Sequence, residues 1–112
     1  MPPQTLKRPK PLIDPDLAAF ARKAAQATSL LKLLANENRL LILCRLVMAG
    51  EMSVNDLAES VGLSQSALSQ HLALMREEEL LATRREAQTV FYRIVDPDVK
   101  RLLDLLKTIY CP

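Results

Sequence analysis

The stretch from Ser53 to Arg76, SVNDLAESVGLSQSALSQHLALMR, admits few arrangements. Ser53 stands where an N-cap oxygen accepts a hydrogen bond from the N–H three residues on, and Asp56 at that position suits a helix's positive end. Val54, Leu57, Ala58 and Val61 recur at helical spacing, so one face is apolar. Gly62 can take the left-handed conformation that ends a helix, with Leu63 packing under the corner. Ser64 caps again, and Leu68, Leu72 and Met75 make a buried stripe on a second helix over Gln65–Glu79. At 100° per residue, Ser66, Ser69, Gln70 and Ala73 fall on its opposite face, which is small, polar and uncharged. A DNA major groove suits such a face, because Gln and Ser pair with base edges and small side chains let the backbone approach. The stretch reads as a helix-turn-helix with Gln65–Glu79 as recognition helix, although capped amphipathic pairs also occur in proteins that never touch nucleic acid.

The flanks extend the pattern. Pro2, Pro3, Pro9 and Pro11 forbid a helix over residues 1–13, and Lys7, Arg8 and Lys10 make this segment a flexible basic arm, either brushing phosphates or simply solvated. Asp14-Pro15-Asp16 predicts a helix start, and Leu17, Phe20, Ala21, Ala24, Thr28, Leu31 and Leu34 carry one face to about Ala35. Asn36-Glu37-Asn38 breaks the chain. Leu40, Leu41, Leu43, Cys44, Val47 and Met48 then make a core helix that Gly50 ends.

After the helix-turn-helix the period changes. Leu80–Arg85 and Thr89–Val95 read as strands, the second with Val90, Tyr92 and Ile94 on one face and Phe91 and Arg93 on the other. Glu86-Ala87-Gln88 lies between them without a glycine, which argues against a two-residue primed turn. A hairpin directly after a recognition helix makes a winged helix, whose Arg84, Arg85 and Gln88 would reach a phosphate or a minor groove, or merely solvate the hairpin. Asp96-Pro97-Asp98 repeats the helix-start signal, and Val99, Leu102, Leu103, Leu106, Ile109 and Tyr110 stripe a last helix. A core this small cannot bury both terminal stripes, so the two terminal helices are expected to form a two-fold dimer interface.

The chain of 112 residues thus reads as a mainly α winged helix-turn-helix with a small β-hairpin, one domain over residues 14–112. No apolar run approaches the length of a membrane span, and a cytoplasmic protein is expected. Charge speaks less clearly. The net is +2, but residues 53–95 carry four basic against six acidic side chains, so positive charge for a phosphate backbone must be arranged in space rather than in bulk.

At this point the residues resemble a known family. ANENRLLILCRL leading into GEMSVNDLAE, followed by LSQSALSQHLALMREEELLATRREAQTVFYRI, resembles the ArsR/SmtB family of dimeric winged-helix repressors from about Leu30 to the C-terminus. The resemblance implies binding to double-stranded operator DNA as a homodimer, with Gln65, Ser66, Ser69 and Gln70 on base edges. Ser64, Arg76, Arg84, Arg85 and Gln88 complete the expected contact set.

The family's metal sensors are where this chain departs from the pattern. Thiol sensors carry a segment resembling ELCVCDLA, whereas here it is EMSVNDLA, with Ser53 and Asn55 in place of cysteines. Zinc sensors place histidines on the last helix, and DPDVKRLLDLLKTIYCP has none, so no metal site and no cofactor is expected. His71, the sole histidine, falls toward the buried edge of the recognition helix. Cys44 and Cys111 remain. Cys44 alone reads as a small buried hydrophobe, Cys111 as exposed, and helices side by side would let the sulfurs face each other, with Arg45 or Lys107 favouring a thiolate. The pair resembles the sulfide-responsive subgroup of the family, which implies that persulfides or polysulfides join the two cysteines through a polysulfide bridge and release the DNA. Rival readings are a general disulfide switch, a thiol-only soft-metal sensor, an adaptor without DNA contact, and an enzyme with Cys44 as nucleophile.

Overall fold

Five helices and three short strands follow one another in the computed structural model, which describes residues 14–111. The basic arm expected over residues 1–13 lies outside the described residues. The chain divides into two units, one ending at Leu33 and one beginning at Leu34.

In the first unit, helix α1 (Pro15–Leu34) begins at the Asp14-Pro15-Asp16 signal. Asp14 Oδ1 accepts from the Asp16 N–H at 2.9 Å, and the Asp14 carbonyl accepts from the Ala18 N–H at 2.9 Å. Of the apolar face read along this helix, Leu17, Phe20 and Leu31 are all more than half exposed.

In the second unit, Asn36 caps α2 (Glu37–Ala49) by accepting from the Arg39 N–H, and Gly50, at φ 84°, ends it. The buried face of α2 is Ile42, Leu43 and Leu46, while Leu41 and Met48 are exposed. The sequence reading placed this face too far round: with nearly every residue from Leu40 to Met48 apolar, periodicity does not set the phase. Helix α3 (Val54–Val61) and helix α4 (Gln65–Glu77) follow the predicted caps. Ser53 Oγ accepts from the Asp56 N–H at 3.2 Å and Ser64 Oγ from the Ala67 N–H at 3.1 Å. Gly62 is left-handed at φ 73°, and both its N–H and that of Leu63 donate to the Ala58 carbonyl, closing α3. Leu57 and Ala58 of α3 join Leu68, Leu72 and Met75 of α4 in the core.

The sheet departs from a simple hairpin. Strand β1 (Met52–Ser53), which the sequence did not signal, pairs antiparallel with β3 (Thr89–Ile94), and β3 pairs with β2 (Leu81–Glu86), giving the order β1-β3-β2. The register sets Glu86 opposite Thr89, so the loop is the two residues Ala87-Gln88. This corrects the three-residue reading: Ala87 takes φ 56° and does what a glycine usually does in a primed turn. Val90, Tyr92 and Ile94 share the inner face, where Ile94 is buried against Leu81; Phe91 and Arg93 lie on the outer face with Arg84. Asp96 caps α5 (Pro97–Tyr110) through its Oδ1, and Val99 and Leu103 seat that helix on α2 and the sheet. Leu105, Ile109 and Tyr110 remain exposed.

Candidate nucleic-acid interface

Helix α4 is held from one side only. Leu68, Leu72 and Met75 are at most 1% exposed, so the helix cannot rotate without opening the core. Ser66, Ser69, Gln70 and Ala73 are consequently turned to solvent, with Ser64 and Gln65 at the helix start and Arg76 in its last turn also exposed. His71 is half-buried at the flank of this face. Gln65 does not stand alone: its Nε2 donates to Asn55 Oδ1, joining the start of α4 to the first turn of α3.

The tip of the hairpin approaches the same end of α4. Gln65 and Asn55 line a cleft of about 190 Å³ together with Ser53, Val54, Gln88, Thr89 and Val90. Gln88 and Gln65, read separately from sequence, are thus brought into the lining of one cleft. Arg85 is exposed nearby on β2.

Arg84 differs from its neighbours. Its Nε donates to Glu51 Oε2 at 2.8 Å and its Nη2 lies 2.8 Å from Glu51 Oε1, a two-pronged pair across 33 positions of sequence. The guanidinium stacks 4.5 Å over the Phe91 ring, and Nη1 lies 3.7 Å from a Glu86 oxygen. The hydrogen bond from Arg84 holds the Glu51 carboxyl below the usual carboxylate range, with Arg93 adding to the effect. Sequence reasoning missed Glu51, since nothing local marks a partner so far away.

The two cysteines are free thiols on elements that pack together, Cys44 half-buried on α2 and Cys111 exposed at the end of α5. The Cys111 N–H donates to the Lys107 carbonyl at 2.7 Å, which finishes the helix. Burial pushes the Cys44 thiol above its ordinary value, the Lys107 ammonium opposes the rise, and the nearby Cys111 adds to it. Of the two cations named from sequence, Lys107 is the one whose charge acts on Cys44. Among the described residues, no group of three or more His, Cys, Asp or Glu side chains is placed to hold a metal ion.

Comparison with known proteins bears on the family and the fold. Residues 36–83 match the family described as "Bacterial regulatory protein, arsR family". The chain is 49% identical over 96 residues to the transcriptional activator HlyU of Vibrio cholerae, covering 86% of this chain and 88% of that one. It is 43% identical over 97 residues to the HTH-type transcriptional regulator YgaV of Escherichia coli, covering 87% and 98%. The crystal structure of the transcriptional repressor BigR from Xylella fastidiosa superposes with a TM-score of 0.79 at 34% identity, covering 86% of this chain and 97% of that one.

Proposed function

We propose, from the premise that this chain belongs to the arsR family of bacterial regulatory proteins, that it is a cytoplasmic, sequence-specific repressor released from its operator by persulfides acting on Cys44 and Cys111. Membership in a family of transcriptional regulators disposes of the reading as an enzyme. On the proposed reading two copies pair through α1 and α5 and present two α4 helices to half-sites one turn of DNA apart. Gln65, Ser66, Ser69 and Gln70 read base edges. Ser64, Arg76, Arg85 and Gln88 contact the edges of the site and its phosphates, whereas Arg84, expected among them from the sequence, is engaged by Glu51.

The observation that carries the effector reading is the thiol pair itself: Cys44 lies on α2 and Cys111 at the end of α5, two helices that pack together. The chemistry balances with persulfide as the only oxidant. Each thiolate takes the outer sulfur of one glutathione persulfide and expels glutathione. The persulfide on one cysteine then attacks the inner sulfur of the other's persulfide, forming a trisulfide and expelling hydrosulfide. That bridge ties α5 to α2, and a change in their spacing moves the two recognition helices off register.

The test is the intact mass of reduced protein after glutathione persulfide, with the thiol oxidant diamide as comparison. The reading expects one or more added sulfurs less two hydrogens within a single chain, and no plain disulfide with diamide. Loss of two hydrogens with either reagent makes the pair a general disulfide switch. Cys44→Ser is expected to keep DNA binding and lose release; a Cys44→Ser protein still released by persulfide removes the sulfur-sensing role.

A further inference from the structure

We infer that Glu51 is a positioning residue that acts through Arg84 to set the strength of backbone binding: its carboxylate occupies the guanidinium fork that would otherwise clasp a DNA phosphate, and so keeps sequence-independent binding weak. The inference rests on the DNA-binding reading above. Arginine meets carboxylate and phosphate with the same planar, two-pronged geometry, so a carboxylate already seated on both prongs is a direct competitor for that group. Here both prongs are seated, at 2.8 Å each.

Three features set this pair apart from an ordinary internal staple. Its location is the outer face of the hairpin, where the Arg84 side chain is 45% exposed and the Glu51 side chain 29%, so neither group is sealed in. Phe91 lies under the guanidinium at 4.5 Å, a contact to the hairpin surface that does not involve Glu51. The second acid, Glu86, makes one longer contact of 3.7 Å and is 68% exposed, so it substitutes poorly for the paired oxygens of Glu51. Neutralising Glu51 therefore leaves an oriented cation in place rather than a loose one.

The consequence bears on the overall attraction to DNA. Each phosphate neutralised by a cation steepens the salt dependence of binding by about 0.9 in log–log slope and strengthens binding to every sequence alike. A cation withheld from phosphates lowers binding to random DNA and to an operator by the same factor, and only the operator, whose affinity also draws on base contacts, stays tightly bound. The small positive net charge and the acidic balance of residues 53–95 fit a protein that limits its attraction to DNA in bulk.

The experiment measures the salt slope of binding to a random-sequence duplex of about 30 base pairs by fluorescence anisotropy. The proteins are full-length wild type, Glu51→Gln, Arg84→Ala and the double variant, each checked by thermal melting. Wild type and Arg84→Ala are expected to share one slope. Glu51→Gln is expected to bind several-fold more tightly at low salt, with a slope steeper by about one unit per engaged Arg84, and the double variant to return to the Arg84→Ala slope. An unchanged slope in Glu51→Gln overturns the inference. So does a steepening that persists without Arg84, which would mark simple removal of a negative charge. If wild type shows no salt-dependent binding to any duplex, the DNA-binding reading falls and takes this one with it; if wild type binds and only the Glu51→Gln arm fails, the DNA-binding reading stands.

Discussion

At the scale of single residues, Glu79 carries the clearest conformational tension. It sits at φ 64° just past α4, where the Glu79 N–H donates to the Arg76 carbonyl and the Leu80 N–H to the Met75 carbonyl. This is a Schellman ending with a glutamate where glycine usually stands, and the buried Leu80 packs on the helix it has just left. Glu79→Gly is expected to raise the unfolding free energy by roughly 0.5–1 kcal/mol, because the left-handed penalty exceeds glycine's added chain entropy. A denaturant midpoint that falls instead contradicts the strain. Cys44 offers a second residue-level expectation. Burial raises its pKa, so the folded protein keeps the thiol protonated to higher pH than an unfolded chain does. Its share of stability is whole below the unfolded thiol's value and is lost as pH rises through the folded one. In a Cys111→Ser background, iodoacetamide labelling of Cys44 should keep accelerating at pH values where a small-molecule thiol has levelled off. Lys107→Gln should slow labelling at any given pH by removing the cation that opposes burial.

At the scale of elements, α4 separates into a face that holds and a face turned to solvent, which on the proposed reading meets the bases. Ser69→Ala with Gln70→Ala is expected to leave the thermal midpoint nearly unchanged, since both side chains are exposed. Binding to a duplex selected by the wild-type protein should fall at least tenfold, while the salt slope on random DNA stays the same. A parallel loss on both duplexes would place these residues on phosphates instead. The caps at Ser53, Ser64 and Asp96, the left-handed Gly62 and the stripe of Leu68, Leu72 and Met75 were all legible from residue order, because each depends on neighbours within one or two turns. What escaped depends on distant partners. Strand β1 is two residues long and exists only because β3 runs beside it. The Ala87-Gln88 turn is set by the β2–β3 register rather than by a glycine. Glu51 meets Arg84 only after the sheet has formed. In the candidate interface, the exposure of Ser66, Ser69 and Gln70 followed from periodicity, whereas the Gln65–Asn55 bond and the cleft shared with Gln88 did not.

At the scale of the whole molecule, exposed apolar side chains gather on the terminal helices: Leu17, Phe20 and Leu31 on α1, and Leu105, Ile109 and Tyr110 on α5. On the proposed reading a second copy covers these faces. Ile109→Glu should leave the far-ultraviolet spectrum unchanged, because the side chain is exposed in the single chain, yet convert the protein to a monomer by light scattering and weaken binding to a two-half-site duplex. A dimer of unchanged stability would move the interface elsewhere. The joint at Ser53 has a mechanical consequence for such an assembly. This one residue is both a rung of the sheet, opposite Phe91, and the cap of α3. At this joint there is no slack linker between sheet and helix-turn-helix, so a tilt of the one would carry the other with it, like a blade fixed to its handle. A helix of 13 residues spans about 20 Å, so a tilt of about 5° at the handle carries the tip of α4 nearly 2 Å along the groove. On the proposed reading, a small strain at the thiols would then need no amplifier beyond the length of the blade.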